Sequence, residues 1–278
     1  METIEQIPFV QIQPARRWLS VDLKELWAYR ELIYFLIWRD IKVRYKQTAI
    51  GAAWAVLQPL MMMLVFTILF QYIAKIQSEG IPYPVFAYTA LLPWTLFSSA
   101  LTRCAASVAQ QANLVSKVYF PRLITPLSAT VSGVVDLAIG FAMLAVMLLW
   151  YRIMPTWGVL ALPAFFCLAL LTALAVGLWL SALYVKYRDV GHTIPFLVQL
   201  WMYASPVAYS ASEIPERWRL FYGLNPLVGV IEGFRWALLG TQSPDFRVIA
   251  VSVGCVFVLL FGGVVYFQRM ERSFADII

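Results

Sequence analysis

Residues 39–74 read RDIKVRYKQTAIGAAWAVLQPLMMMLVFTILFQYIA. Five of the first eight residues are charged, and none is charged from Ile50 to Ala74. Crossing the hydrocarbon core of a bilayer takes about 20 apolar residues as a helix. The run from Ile50 to Ala74 meets that length, so it reads as a first membrane span. Pro59 lacks a backbone donor and predicts a kink at Gln58–Pro59.

Composition agrees with this reading along the whole chain. Of 278 residues, 62% are hydrophobic and 13% charged, against about 25% charged in an ordinary soluble domain. So few charges cannot cover a water-facing surface without leaving large apolar patches. Further apolar runs predict spans over 85–106, 123–150, 158–185, 191–209 and 248–267. The fold class expected is an all-α membrane protein of six transmembrane helices.

Upstream of the first span lies VDLKELWAYRELIYFLIWRDIKVRYK (21–46). Its apolar residues recur near helical spacing, with charges between them. It reads as an amphipathic helix in the membrane surface, its Trp and Tyr at head-group depth. The seven apolar residues 32–38 are too few to cross. Residues 1–20, interrupted by Pro8 and Pro14, are expected to form a loose extension. The first 30 residues hold no apolar signal core, so the N-terminus is expected to stay in the cytoplasm.

Before the last span, residues 210–240 are less ordinary. NPLVGVIEGFRWALLG (225–240) is too short and too charged to span, carrying Glu232 and Arg235. Asn225 can cap a helix with Pro226 in its first turn, and Gly240 can end it. A re-entrant or surface-lying hairpin is expected.

Lysine and arginine counts set the orientation. The N-terminal segment and the ends of the second, fourth and last predicted spans carry fifteen of the 21 Lys and Arg residues. That asymmetry predicts both termini in the cytoplasm. The net charge of +6 is then topological and suited to anionic head groups, not a sign of nucleic-acid binding. No internal repeat is visible, which weighs against an inverted-repeat carrier.

Catalytic motifs are missing. The chain has no G-x-x-x-x-G-K-[ST], no G-x-S-x-G and no H-E-x-x-H. Its three cysteines are unpaired in spacing and its one histidine, His192, cannot hold a metal alone. No metal site and no cofactor in this chain are expected. Asp136 is an acid within a span, and it reads as a structural partner of a serine or of Arg103 more readily than as a proton relay. Aromatic residues crowd the spans. They include interfacial Trp and Tyr, but Phe66, Phe70, Trp94, Trp201 and Tyr203 are candidates for stacking on sugar rings in a path through the membrane.

The order of these features resembles the permease subunit of type-2 ABC exporters, in the branch that exports O-antigen, capsule or teichoic acid. The resemblance rests on RDIKVRYKQTAIGAAWAVLQPL (39–60), SKVYFPR (116–122), KYRDV (186–190) and NPLVGVIEGFRWALLG (225–240), and covers about residues 22–272. It implies a homodimer of six-span subunits in the bacterial inner membrane, with two copies of a separate ATPase that holds ATP and Mg. It implies that the 21–46 helix and the loop around 113–122 contact that ATPase, through Arg39, Arg44, Lys117, Tyr119, Phe120 and Arg122. It implies external gate helices over 210–240, with Asn225, Pro226, Glu232 and Arg235, in a transmembrane domain of residues 47–278. The implied cargo is a lipid-linked glycan moved outward, and the chain itself is no enzyme. Two other classes fit less of the sequence. One is an exporter of a drug or small lipid with the same architecture. The other is a membrane glycosyl- or acyltransferase, for which Asp136, Asp189 and His192 are the acid–base candidates.

Overall fold

A computed structural model of the chain describes residues 23–46, 52–76 and 78–277. The extension expected over 1–20 lies outside the described residues, as do Val21 and Asp22 at the start of the expected surface helix. Among the described residues the fold is all helical. In order it runs α1 (Leu23–Ala28), α2 (Arg30–Lys46), α3 (Ala52–Phe66), α4 (Tyr83–Gln110), α5 (Ala112–Lys117), α6 (Ile124–Val131) and α7 (Val134–Trp150). There follow α8 (Leu162–Lys186), α9 (Val190–Tyr203), α10 (Glu216–Tyr222), α11 (Pro226–Leu239) and α12 (Phe246–Ile277).

Five helical stretches are long and apolar enough to cross a membrane: Ala53–Ile73, Tyr83–Gln110, Ile124–Trp150, Trp157–Lys186 and Phe246–Glu271. The fifth expected span, 191–209, is a different object. Its helix, α9, has 14 residues and gives way to turns after Tyr203. The chain is drawn out of helix there because partners elsewhere take its backbone groups. Asn225 Nδ2 donates to the Ala204 carbonyl at 3.2 Å. Arg235 donates to the Val207 and Tyr209 carbonyls at 3.0 and 2.9 Å, and Pro206 has no N–H to offer.

Pro59 sits inside α3, and the first span ends in a π-helical stretch, Thr67–Ile73. The span expected over 123–150 breaks between α6 and α7 at Ser132 and Gly133. Ser132 Oγ turns back onto the Ala129 carbonyl at 2.8 Å, a bond that competes with helical pairing. A side chain at Gly133 would collide with the Arg103 guanidinium, so the break admits that arginine.

α4 is the most enclosed of the candidate spans, with Tyr83, Phe86, Tyr88 and Phe97 fully buried. It packs on α8, which packs on α12, while α3 leans on α4 and α7. One large apolar cluster runs through the core from α3 to α12, and a smaller one marks one end of the bundle. The smaller one joins Leu36 of α2, Val115 of α5, Phe120, Ile124 of α6, Val185 of α8, and Phe267 and Phe274 of α12. The described N-terminal helix and the end of α12 therefore meet at one end. At the other end Tyr83 donates to the Ala208 carbonyl at 2.8 Å, and Ser252 at the start of α12 donates to the Gly223 carbonyl at 2.9 Å. α9 and the turns after it run from the first end to the second.

Candidate functional site

The end of the bundle that holds α2 contains a charge network centred on Asp136. This acid lies in the first turn of α7, where a negative charge suits the helix dipole. The expected pairing with Arg103 is present, with Nη1 3.6 Å from the carboxylate. Two partners were not expected. Arg44 Nη1 and the Tyr45 hydroxyl, both from the last turn of α2, donate to the two carboxylate oxygens. Arg103 also donates to the Ala129 carbonyl and to Ser99 Oγ, each at 3.3 Å. One carboxylate thus ties α2, α4 and α7 together. Burial, and then the Asp136 carboxylate, push the Tyr45 phenol up to about 12, so it stays a donor at cellular pH.

The loop between α4 and α6 is the second part of this end. Lys117, Val118 and Tyr119 face outward, the last 59% exposed. Phe120 faces inward and is 4% exposed. Arg122 Nη1 donates to the Glu271 carbonyl of α12. Arg39 bonds to neighbouring Asp40 at 2.9 Å. Of the six residues taken for ATPase coupling, Lys117 and Tyr119 are presented to the outside, while Arg44, Phe120 and Arg122 hold the scaffold beneath them. α2 differs from a simple amphipathic helix in the same way. Leu36 is buried against the bundle, while Tyr34, Phe35 and Trp38 are exposed, as is Trp27 of α1. Arg30 and Lys42 sit over the Trp27 and Trp38 rings.

The aromatic residues proposed to line a path divide into two groups. Phe66 and Trp94 are each 4% exposed and belong to the core. Phe66 meets the partly buried Phe70 edge-on at 5.3 Å. Trp201 meets Phe97 edge-on at 5.0 Å, and its indole donates to Asn225 Oδ1 at 2.9 Å. These rings hold the subunit together. Tyr203 is exposed, as are Trp54 and Tyr72 of the first span and Phe196 of α9. Composition could not make that division, since buried and exposed rings alternate along the same helices.

At the opposite end, α11 forms as its sequence dictates. Asn225 Oδ1 accepts from Leu227 N at 3.2 Å, Pro226 occupies the first turn, and Gly240 ends the helix at φ 68°, a left-handed position suited to glycine. The helix is almost entirely buried, against α4, α8 and α12, so it is not a surface-lying element. Arg235 is 1% exposed. Its guanidinium stacks 3.6 Å from the Phe86 ring centre and pairs with Glu232 at 3.1 Å. Burial, outweighing the pull of Arg235, holds the Glu232 carboxyl above the usual carboxylate range. Beside it a polar cleft of about 100 Å3 is lined by Glu79, Ser210, Ser212, Arg219, Tyr222 and Glu232, among others. Glu79 accepts from Ser210 and, at 3.4 Å, from Ser212, tying the 78–82 turn to this end.

Asn225 joins three segments, since its amide also donates to Ser205 Oγ at 2.9 Å. Asn225→Ala removes the cap and leaves Trp201 Nε1 without its acceptor. A loss of about 1–3 kcal/mol is expected, read as a lower unfolding midpoint in detergent, with Asn225→Asp retaining part of it.

Among the described residues no group of His, Cys, Asp and Glu could hold a metal ion. The model of the ABC-2 type transporter family matches residues 31–239. The O-antigen export system permease protein RfbA of Myxococcus xanthus is 30% identical over 91% of this chain and 98% of its own length. The Klebsiella pneumoniae protein of the same name is 27% identical over 94% of this chain and 100% of its own. The polysialic acid transport protein KpsM of Escherichia coli is 22% identical over 86% and 93%.

Proposed function

The chain belongs to the ABC-2 type transporter family, and from that premise we propose that it is the membrane-spanning subunit of an ATP-driven exporter of a lipid-linked, O-antigen-like polysaccharide. It is a transport subunit and not an enzyme. The observation that carries the cargo is the near full-length similarity to an O-antigen export permease. The sequence has no phosphate-binding loop, so the energy comes from a partner ATPase.

In this reading the α2 end faces the cytoplasm, in keeping with the bias of Lys and Arg. Both termini lie there, and the chain crosses six times, with α9 and its following turns as the fifth crossing. Two subunits meet through the exposed faces of the first span and α9, enclosing a path for sugar units between their aromatic rings. Two ATPase copies dock on the outward face of α2 and on Lys117 and Tyr119. Closure of the ATPase pair shifts α2, and the Asp136 network carries that shift into α7. The buried α11 end forms the outer gate.

Lys117→Glu with Arg122→Glu should abolish surface glycan while the chain still inserts. Export is scored by surface polysaccharide in a strain lacking the native gene and expressing the variant. Undiminished glycan would refute the docking assignment. Loss of resistance to a drug with glycan intact would favour a small-molecule exporter.

A further inference from the structure

We infer that the last turns of α12 clasp the loop after α4 and fix its docking shape, with Glu271 and Phe274 as positioning residues. The inference rests on the reading of that loop as an ATPase contact. The apolar run ends at Phe267, before Gln268 and Arg269, yet the helix runs on to Ile277. Those extra turns carry Phe274, 0% exposed, edge-on to Phe267 at 5.4 Å. It shares one apolar cluster with Leu36 of α2, Val115 and Phe120.

Arg122 closes the clasp from the loop side. Its guanidinium lies 6.0 Å from the Phe274 ring centre and donates to the Glu271 carbonyl. Its own N–H points to Glu271 Oε1 at 3.4 Å. Local bonds hold the loop from Val118 to Leu123 at its two ends: Val118 N to Leu114 O on one side, and on the other Ile124 N to Pro121 O, Thr125 N and Oγ1 to Arg122 O and Leu127 N to Leu123 O. Between those ends, Phe120 and Arg122 are held through α12. Phe120 and Arg122 point inward to the clasp, and that leaves Lys117 and Tyr119 pointing out. The same cluster holds Leu36, so α2 and the loop are set against one another by a single turn of helix.

A merely structural role would cost stability and leave the docking geometry alone, and labelling separates the two. Val118→Cys, at an exposed position between Lys117 and Tyr119, is introduced with Cys167→Ser and Cys255→Ser, and the complex is assembled in inside-out vesicles with and without its ATPase. The new thiol is labelled with a membrane-impermeant maleimide. In the parent the ATPase protects it. Phe274→Ala and Glu271→Ala each reduce that protection and export by at least about fivefold, the lower range of coupling between sites. The amount of inserted chain is unchanged. Phe274→Met, which keeps apolar volume, restores most of the protection. No protection in the parent would refute the docking reading and the clasp with it. Protection in the parent that survives both alanine variants would refute the clasp alone. Should Phe274→Ala fail to insert, Glu271→Ala decides on the same criterion.

Discussion

Arg235→Met is expected to destabilise the purified chain by about 3–5 kcal/mol, the cost of breaking a buried ion pair from one side. Methionine fills similar volume and still packs on Phe86, so the loss is electrostatic. Without the guanidinium, Glu232 keeps a buried charge with no counter-ion, and the Val207 and Tyr209 carbonyls lose their donor. The unwound segment after α9 loses the bonds that compensate for its missing helix. The deficit should depend on pH. With Arg235 gone, the Glu232 carboxyl rises further above its unfolded value of about 4.3. The folded variant then binds the proton more readily than the unfolded chain. Its stability is retained below the unfolded value and lost as pH rises through the folded one. The gap to the parent therefore narrows on acidification. Removing the orphaned charge as well, in Arg235→Met with Glu232→Leu, should recover part of the loss. Denaturation in mixed micelles at two pH values measures all of this. An Arg235→Met chain that unfolds with its parent would show that the pair does not hold the segment.

Asp136→Leu should cut export on the order of tenfold or more, within the range of coupling between distant sites, while the partner ATPase still hydrolyses ATP. One carboxylate holds two guanidiniums, from α2 and α4, and a phenol. Without it Arg44 and Arg103 repel, α2 loses its hold on α7, and ATPase movement is no longer passed on. Asp136→Asn keeps an acceptor for Tyr45 and should fall between leucine and parent. Adding Arg103→Met to Asp136→Leu removes the repulsion but not the missing link, so stability recovers while export does not. Surface glycan scored beside chain abundance distinguishes these. Parent-level export from Asp136→Leu would contradict the transmission role.

Much of this architecture could be read from sequence where the signals are local. Asn225, Pro226 and Gly240 bracket α11 by their own backbone chemistry, and the helix starts and stops where they require. The charge-free run after Lys46 reads as a span from length alone. Features set by distant partners were not legible. The break at Gly133 depends on Arg103, thirty positions earlier in the chain. The end of α9 depends on Asn225 and Arg235, side chains that follow it by about two dozen residues. Asp136 suggested Arg103 by proximity of spans, but nothing near it pointed to Arg44 and Tyr45, more than 90 residues away. On α2, apolar residues surround the helix, so periodicity could not tell that Leu36 turns inward while Tyr34 and Phe35 turn out. The same difficulty placed Phe66 and Trp94 on a glycan path when they pack in the core. Exposure of an aromatic ring is a property of the fold, not of the residue.

The most direct test is reconstitution of the chain with its partner ATPase in liposomes whose outer leaflet, on the ATPase side, carries a lipid-linked O-antigen-type glycan. With ATP and Mg the glycan should become inaccessible to an external glycosidase. With a hydrolysis-deficient ATPase it should stay accessible. Glycan that remains outside under ATP hydrolysis, while a small fluorescent lipid or drug is carried across, would contradict the polysaccharide-export reading.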